Sequence, residues 1–176
     1  MAFGVLYDFT GNSNASKVIP AATMIQQPWF QNAVNFSQPI DLFLLTGHNP
    51  VRGSGSTLTT IQKAIRKSRP NVPIQIFGGH THIRDFAVYD SGSTGLESGR
   101  YCETLGFLSM SGIQSSNYTG VANPAGVPNP ATPAVKNATT TASATAAPTA
   151  SGNSTAFANL RYFRRYLDWN RGRSRE

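Results

Sequence analysis

Apolar residues along this chain fall in short runs separated by polar, glycine-rich connections. Phe3-Gly4-Val5-Leu6-Tyr7 alternates bulky and small groups and runs into Asp8-Phe9-Thr10-Gly11-Asn12, which predicts a strand closed by a turn. From Thr23 to Val34, Met24, Ile25, Trp29, Phe30 and Ala33 recur at helical spacing, with Pro28 tolerable only near a first turn or at a kink. Ile40 to Leu45 is apolar except for Asp41 and predicts a buried strand, followed by the loop Thr46-Gly47-His48-Asn49-Pro50. Ser56 can cap a helix lined by Leu58, Ile61 and Ile65, and Pro70 stops it. Ile74-Gln75-Ile76-Phe77 then predicts a strand that breaks at Gly78-Gly79, immediately before His80-Thr81-His82.

Beyond this point the pattern predicts a hairpin, with strands over Arg84 to Tyr89 and Arg100 to Ser109 and a long Ser/Gly-rich tip from Asp90 to Gly99. Phe157, Leu160, Phe163 and Leu167 space out a final helix over 157–170. Between Val121 and Ala156, Pro, Gly, Ala, Ser and Thr crowd out large apolar side chains, which predicts a disordered, flexible insertion. Residues 171–176 are too polar to pack and predict a disordered basic tail. The expected organisation is therefore one α/β domain over 1–120, the insertion over 121–156, the helix and the tail.

Composition narrows the function. At 176 residues and 39% hydrophobic, the chain suits one modest core. The net charge of +7 comes from Arg52 to Arg69 and Arg161 to Arg175. No aromatic stacking motif, zinc knuckle or recognition-helix pattern accompanies either cluster, so nucleic-acid binding ranks below a solvated helix face. The single cysteine, Cys102, rules out an intrachain disulfide. No apolar run approaches the roughly 18 residues of a membrane helix, and no signal peptide opens the sequence. Sequons at Asn14, Asn35, Asn117, Asn137 and Asn153 lean toward a secreted or vacuolar parent protein.

The chemistry gathers on the three histidines, His48, His80 and His82, each in a glycine-led loop directly after an expected strand. A strand, helix and strand of this length makes a parallel unit, which sets the two strand ends side by side. Residues at i and i+2 of extended backbone point the same way, so His80 and His82 could face one site that His48 also reaches. Neutral imidazoles at the mouth of a sheet are natural ligands for zinc, iron or manganese. Either motif alone is a weak signal; the two in matching strand contexts make a metal site the better reading.

Gly47-His48 and Gly79-His80-Thr81-His82 resemble the last two signature blocks of the calcineurin-like metallophosphoesterases. The surrounding stretches, Asp41 to Arg52, Gly78 to Asp85, Arg100 to Thr104 and Arg164 to Asp168, resemble the fungal 5′-nucleotidase-related branch. The resemblance implies a fold of two mixed sheets packed as a sandwich and flanked by helices. It implies that His48 and His80 ligate one divalent ion and His82 the other, the ions being zinc, manganese or iron. It also implies a phosphate monoester or nucleotide substrate. Arg52 and Arg84, close in sequence to these histidines, are candidate phosphate contacts, although exposed surface arginines are the better reading.

The family's earlier blocks, Asp-x-His, Gly-Asp-x-x-Asp and Gly-Asn-His-Asp/Glu, are absent. Without a bridging carboxylate, the repulsion between two cations goes uncompensated. The expectation is thus the C-terminal part of a catalytic domain: a truncated sandwich that opens on a core strand and needs the N-terminal half for a complete site. Alone it should hold one ion weakly or none, and hydrolyse phosphoesters weakly or not at all. No catalytic residue beyond the ligands is identified. The alternative is a non-catalytic remnant that acts by binding a partner.

Overall fold

The computed structural model describes residues 1–113, 157 and 159–168. The expectations for 121–156 and for the tail lie outside the described residues. The described chain is a mixed α/β fold with two sheets. Its elements are β1 (Ala2–Leu6), α1 (Ala21–Met24), α2 (Pro28–Val34), β2 (Phe43–His48), α3 (Leu58–Ser68), β3 (Ile74–Phe77), β4 (Arg84–Asp90), β5 (Ser93–Ser98), β6 (Thr104–Ser111) and β7 (Arg161–Asp168).

The larger sheet has the order β1-β2-β3-β5-β4. Its first four strands run parallel, and β4 closes one edge antiparallel to β5. β6 and β7 form a separate antiparallel pair. Helical connections between β1, β2 and β3 are what a parallel arrangement requires, since a short turn cannot return the chain to the starting edge. The core lies on one face of the large sheet, where Phe3, Phe43, Leu45, Ile74 and Ile76 meet Phe30 and Val34 of α2 and Leu58, Ile61 and Ile65 of α3. The last three recur at i, i+3 and i+7, the stripe that a helix lays on a sheet.

The expected single helix from Thr23 to Val34 is two helices. Pro28 cannot donate an N–H into the preceding turn and pushes Gln27 to extended backbone (ψ 141°), so the chain breaks there and restarts with proline in the first turn. The second strand lies three residues further on than expected, at Phe43–His48, because Gly4, Val5 and Leu6 pair with Thr46, Gly47 and His48. His48 therefore ends a strand rather than sitting in the loop beyond it.

The stretch expected as a long hairpin tip is largely a central strand. β5 sits between β3 and β4, and its small polar residues can be buried because they are paired. Ser93 Oγ accepts from Gln62 Nε2 at 2.9 Å, and Thr94 Oγ1 donates to Gln75 Oε1 at 2.8 Å. The final helix is also replaced by a strand, β7. Tyr162, Phe163 and Tyr166 favour a pleated surface, and alternation sends Tyr162, Arg164 and Tyr166 to one face. Arg164 stacks on Phe86, 3.9 Å from the ring centroid, and the Tyr166 hydroxyl donates to the carbonyl of Asp85, so β7 packs the small sheet against β4.

Candidate functional site

The carboxyl ends of parallel strands form the crevice where open α/β sheets place their ligands. Here β1 runs out into Tyr7, β2 ends at His48, and β3 runs out into Gly78-Gly79-His80. The two histidine rings meet: His48 Nε2 and His80 Nδ1 are 2.9 Å apart, with ring centroids 4.8 Å apart and planes crossed at 81°. Tyr7 closes the cluster, its ring 4.2 Å from that of His80 and 5.9 Å from that of His48.

Glycines permit this approach by keeping side chains out of the way. A Cβ on Gly78 would lie 2.6 Å from both the carbonyl oxygen of Asn49 and Cγ1 of Val51, so only glycine lets the chain after β3 cross the chain after β2. The crossing is then fastened. Gly79 N–H donates to the carbonyl of Asn49 at 3.0 Å, and the Asn49 side chain, fully buried, accepts from Thr57 N–H at 3.1 Å and donates to Thr57 Oγ1. Tyr89 donates its hydroxyl to the carbonyl of Val51, and burial pushes that phenol well above its ordinary range.

His80 and His82 do not lie on extended backbone. Their φ angles are 84° and 65°, in the left-handed region, which costs about 1–3 kcal/mol for each non-glycine residue. The i, i+2 argument for a shared direction therefore fails. His80 turns onto His48, while His82 is exposed and makes no hydrogen bond, ion pair or ring contact among the described residues.

Arg52 stands on the loop after His48 and forms an ion pair with Asp85, its own side chain 65% exposed. The hydrogen bonds from Arg52 hold the Asp85 carboxyl below its ordinary range against the opposing effect of burial. Arg84 lies with its guanidinium 6.0 Å from the ring centroid of Tyr166. Both arginines flank the histidine loops, and each is engaged by the second sheet or its neighbour β4.

The two ring nitrogens meet at hydrogen-bonding distance, so a small shift of the rings would let both face a single ion, and neutral imidazole suits zinc, manganese or iron. The donor set goes no further. Among the described residues, no group of three or more His, Cys, Asp or Glu side chains is placed to hold a metal. Two neutral donors without a carboxylate do not make a two-metal centre, so the described residues fit half of one ion's shell and no catalytic step is derived through it.

Two contributors to this site carry little signal in the sequence. Asn49 reads as a turn residue before Pro50, yet it is buried and joins the two loops. Glu97 falls inside the expected Ser/Gly-rich tip, yet it is 1% exposed beneath the histidine loops. Nothing in a run such as Leu96-Glu97-Ser98 separates a buried acceptor from a surface charge.

No family model matches the chain. It is 54% identical over 173 residues to a protein of Arthroderma benhamiae named as secreted, covering 97% of this chain and 25% of that protein. It is 50% identical over 119 residues to an uncharacterised protein of Schizosaccharomyces pombe, covering 68% of this chain and 20% of the other. The crystal structure of 5′-nucleotidase from Candida albicans superposes on it with a TM-score of 0.65 and 32% identity, covering 96% of this chain and 24% of the enzyme. The chain thus spans about a quarter of the length of these proteins or less. No helix among the described residues is long and apolar enough to cross a membrane. The described fold is thus shared with a segment of that 5′-nucleotidase.

Proposed function

We propose that this chain supplies the histidine-bearing part of a phosphoester hydrolase of 5′-nucleotidase type, acting on phosphate monoesters of nucleosides. The observation that carries the reading is the meeting of His48 and His80 at the carboxyl ends of parallel strands, in a fold shared with a 5′-nucleotidase. His48 and His80 would hold one divalent cation and His82 a second, with carboxylate ligands contributed from outside the described residues. Such a pair of cations, when bound, supplies polarisation of the phosphoryl oxygens and an activated water. What the chain's own residues do is bring two imidazoles together; Arg52 and Arg84, close to the histidines in sequence, would meet an anionic substrate. The likeness to a secreted relative supports passage through the secretory route.

Two measurements test this together. With zinc, manganese or iron, the 176-residue chain alone should turn over adenosine monophosphate at close to the buffer rate. Exchanged for the matching quarter of the Candida albicans 5′-nucleotidase, it should yield a folded chimera with turnover, and His80→Ala within that chimera should lower the rate by about 100-fold or more, on the order of 3 kcal/mol of transition-state stabilisation. Unchanged turnover in the His80→Ala chimera contradicts the reading. A folded chimera with no turnover favours a second reading, a non-catalytic chain that binds a partner. The observation behind that second reading is an uncovered sheet face, where Ala2, Gly4 and Leu6 stand exposed opposite Leu44, Thr46 and His48.

A further inference from the structure

Both histidine loops converge on one buried carboxylate. Glu97 comes from β5, two strands away from β2, and is almost wholly withdrawn from water. One of its oxygens, Oε2, accepts from the N–H of Val51 at 3.2 Å, three residues beyond His48. The other, Oε1, accepts from the N–H of Thr81 at 3.0 Å and from the Thr81 hydroxyl, between His80 and His82.

A carboxylate is costly to bury unless its oxygens are satisfied, so its presence here needs a reason beyond filling space. The donors supply it. Among the described residues, each hydrogen-bond partner of either oxygen is an N–H or O–H, so the position calls for acceptors at both ends of the side chain. Glutamine of the same size would turn an NH₂ group toward one set of donors. Thr81, the residue held most tightly, is flanked by two histidines in left-handed backbone, a conformation that persists only where the surroundings impose it.

We infer that Glu97 is a positioning residue: it clamps the loop after His48 to the loop that bears His80 and so sets the His48–His80 pair. This inference rests on the reading that these loops form the hydrolase site. It concerns the geometry of the rings in the metal-free chain, so its test is separate from turnover.

The experiment is nuclear Overhauser contact between the His48 and His80 rings, and between the His80 and Tyr7 rings, in the full 176-residue chain without metal. Wild-type chain should show both contacts. Glu97→Gln should lose the His48–His80 contact while the core signals of Phe43 and Ile76 stay in place. Thr81→Val, at an exposed position, removes the hydroxyl and should lose the contact as well, and Thr81→Ser should restore it. A folded Glu97→Gln chain that keeps the contact overturns the inference, as does Thr81→Val with the wild-type pattern or wild-type chain lacking the contact. Should Glu97→Gln fail to fold, the Thr81 pair of variants decides. A merely structural role for Glu97 would lower stability but leave the ring contacts of the remaining folded molecules unchanged.

Discussion

A methyl group on Gly47 would stand 1.7 Å from the carbonyl oxygen of Val5, its direct partner in the β1–β2 register. Backbone cannot yield to that contact without separating the strands, so Gly47→Ala should lower stability by about 3 kcal/mol or more, an overpacking penalty at its upper end. A urea midpoint lowered at unchanged slope is the expected readout; an unchanged midpoint would mean that β1 does not pair at this register. The glycine before His48 was legible as a signal, and its reason was not. Read from sequence, Gly47 frees a loop to turn, whereas in the fold it lets one strand pass close to another. The histidines show the same limit. His80 and His82 were identifiable as a pair by their spacing, but the direction of each ring depends on backbone angles that only the surrounding loops impose.

Among elements, the α3–β4 contact carries a charge whose effect depends on pH. Asp90 accepts from Arg66 Nε at 2.9 Å and Nη2 at 3.0 Å, from Gln62 Nε2 at 2.6 Å and from Gly92 N–H at 2.9 Å. Burial pulls its pKa upward, but the Arg66 bonds and charge with those of Ser93 and Gly92 outweigh it, and the carboxyl stays below its ordinary range. A lowered folded-state pKa means that the stabilisation is fully present above the unfolded value, about 3.9, and is lost as pH falls through the folded value. Asp90→Asn should therefore cost about 2–4 kcal/mol at pH 7, since it leaves the partly buried Arg66 charge without its carboxylate, and should flatten the loss of stability below about pH 4. Thermal melts from pH 7 to pH 2 test this; parallel curves for the two proteins would contradict it.

Elements with one clear period were readable in advance. The helix α3 follows from Leu58, Ile61 and Ile65, and β3 from Ile74 and Ile76, because each buries a regular face. β7 was not, because Phe157, Leu160, Phe163 and Leu167 match a helical stripe while Tyr162, Arg164 and Tyr166 match a strand. Pairing with β6 and packing on β4 decide between them, and neither is local. β5 was hidden for the opposite reason: Ser93, Thr94 and Gly95 look like a loop until Gln62 and Gln75 reach across to satisfy them.

At the scale of the molecule, the parallel β2–α3–β3 unit was legible because so few connections can join such elements, and the meeting of His48 with His80 follows from it. The fold agrees with a 5′-nucleotidase over nearly the whole chain, yet this chain corresponds to only 24% of that enzyme. Sequence marked the two histidine loops as candidates for one site; it could not tell that Glu97 and Asn49 bind those loops together, since both come from residues that read as surface or turn.

Titration of the chain with zinc, followed through the ring nitrogen resonances of each histidine, puts the paired-ligand claim to the most direct test. The account predicts that His48 and His80 respond together with one midpoint, that His80→Ala abolishes the response of His48, and that His82 does not share the midpoint. Independent responses of His48 and His80, or a His48 response untouched by His80→Ala, would contradict it.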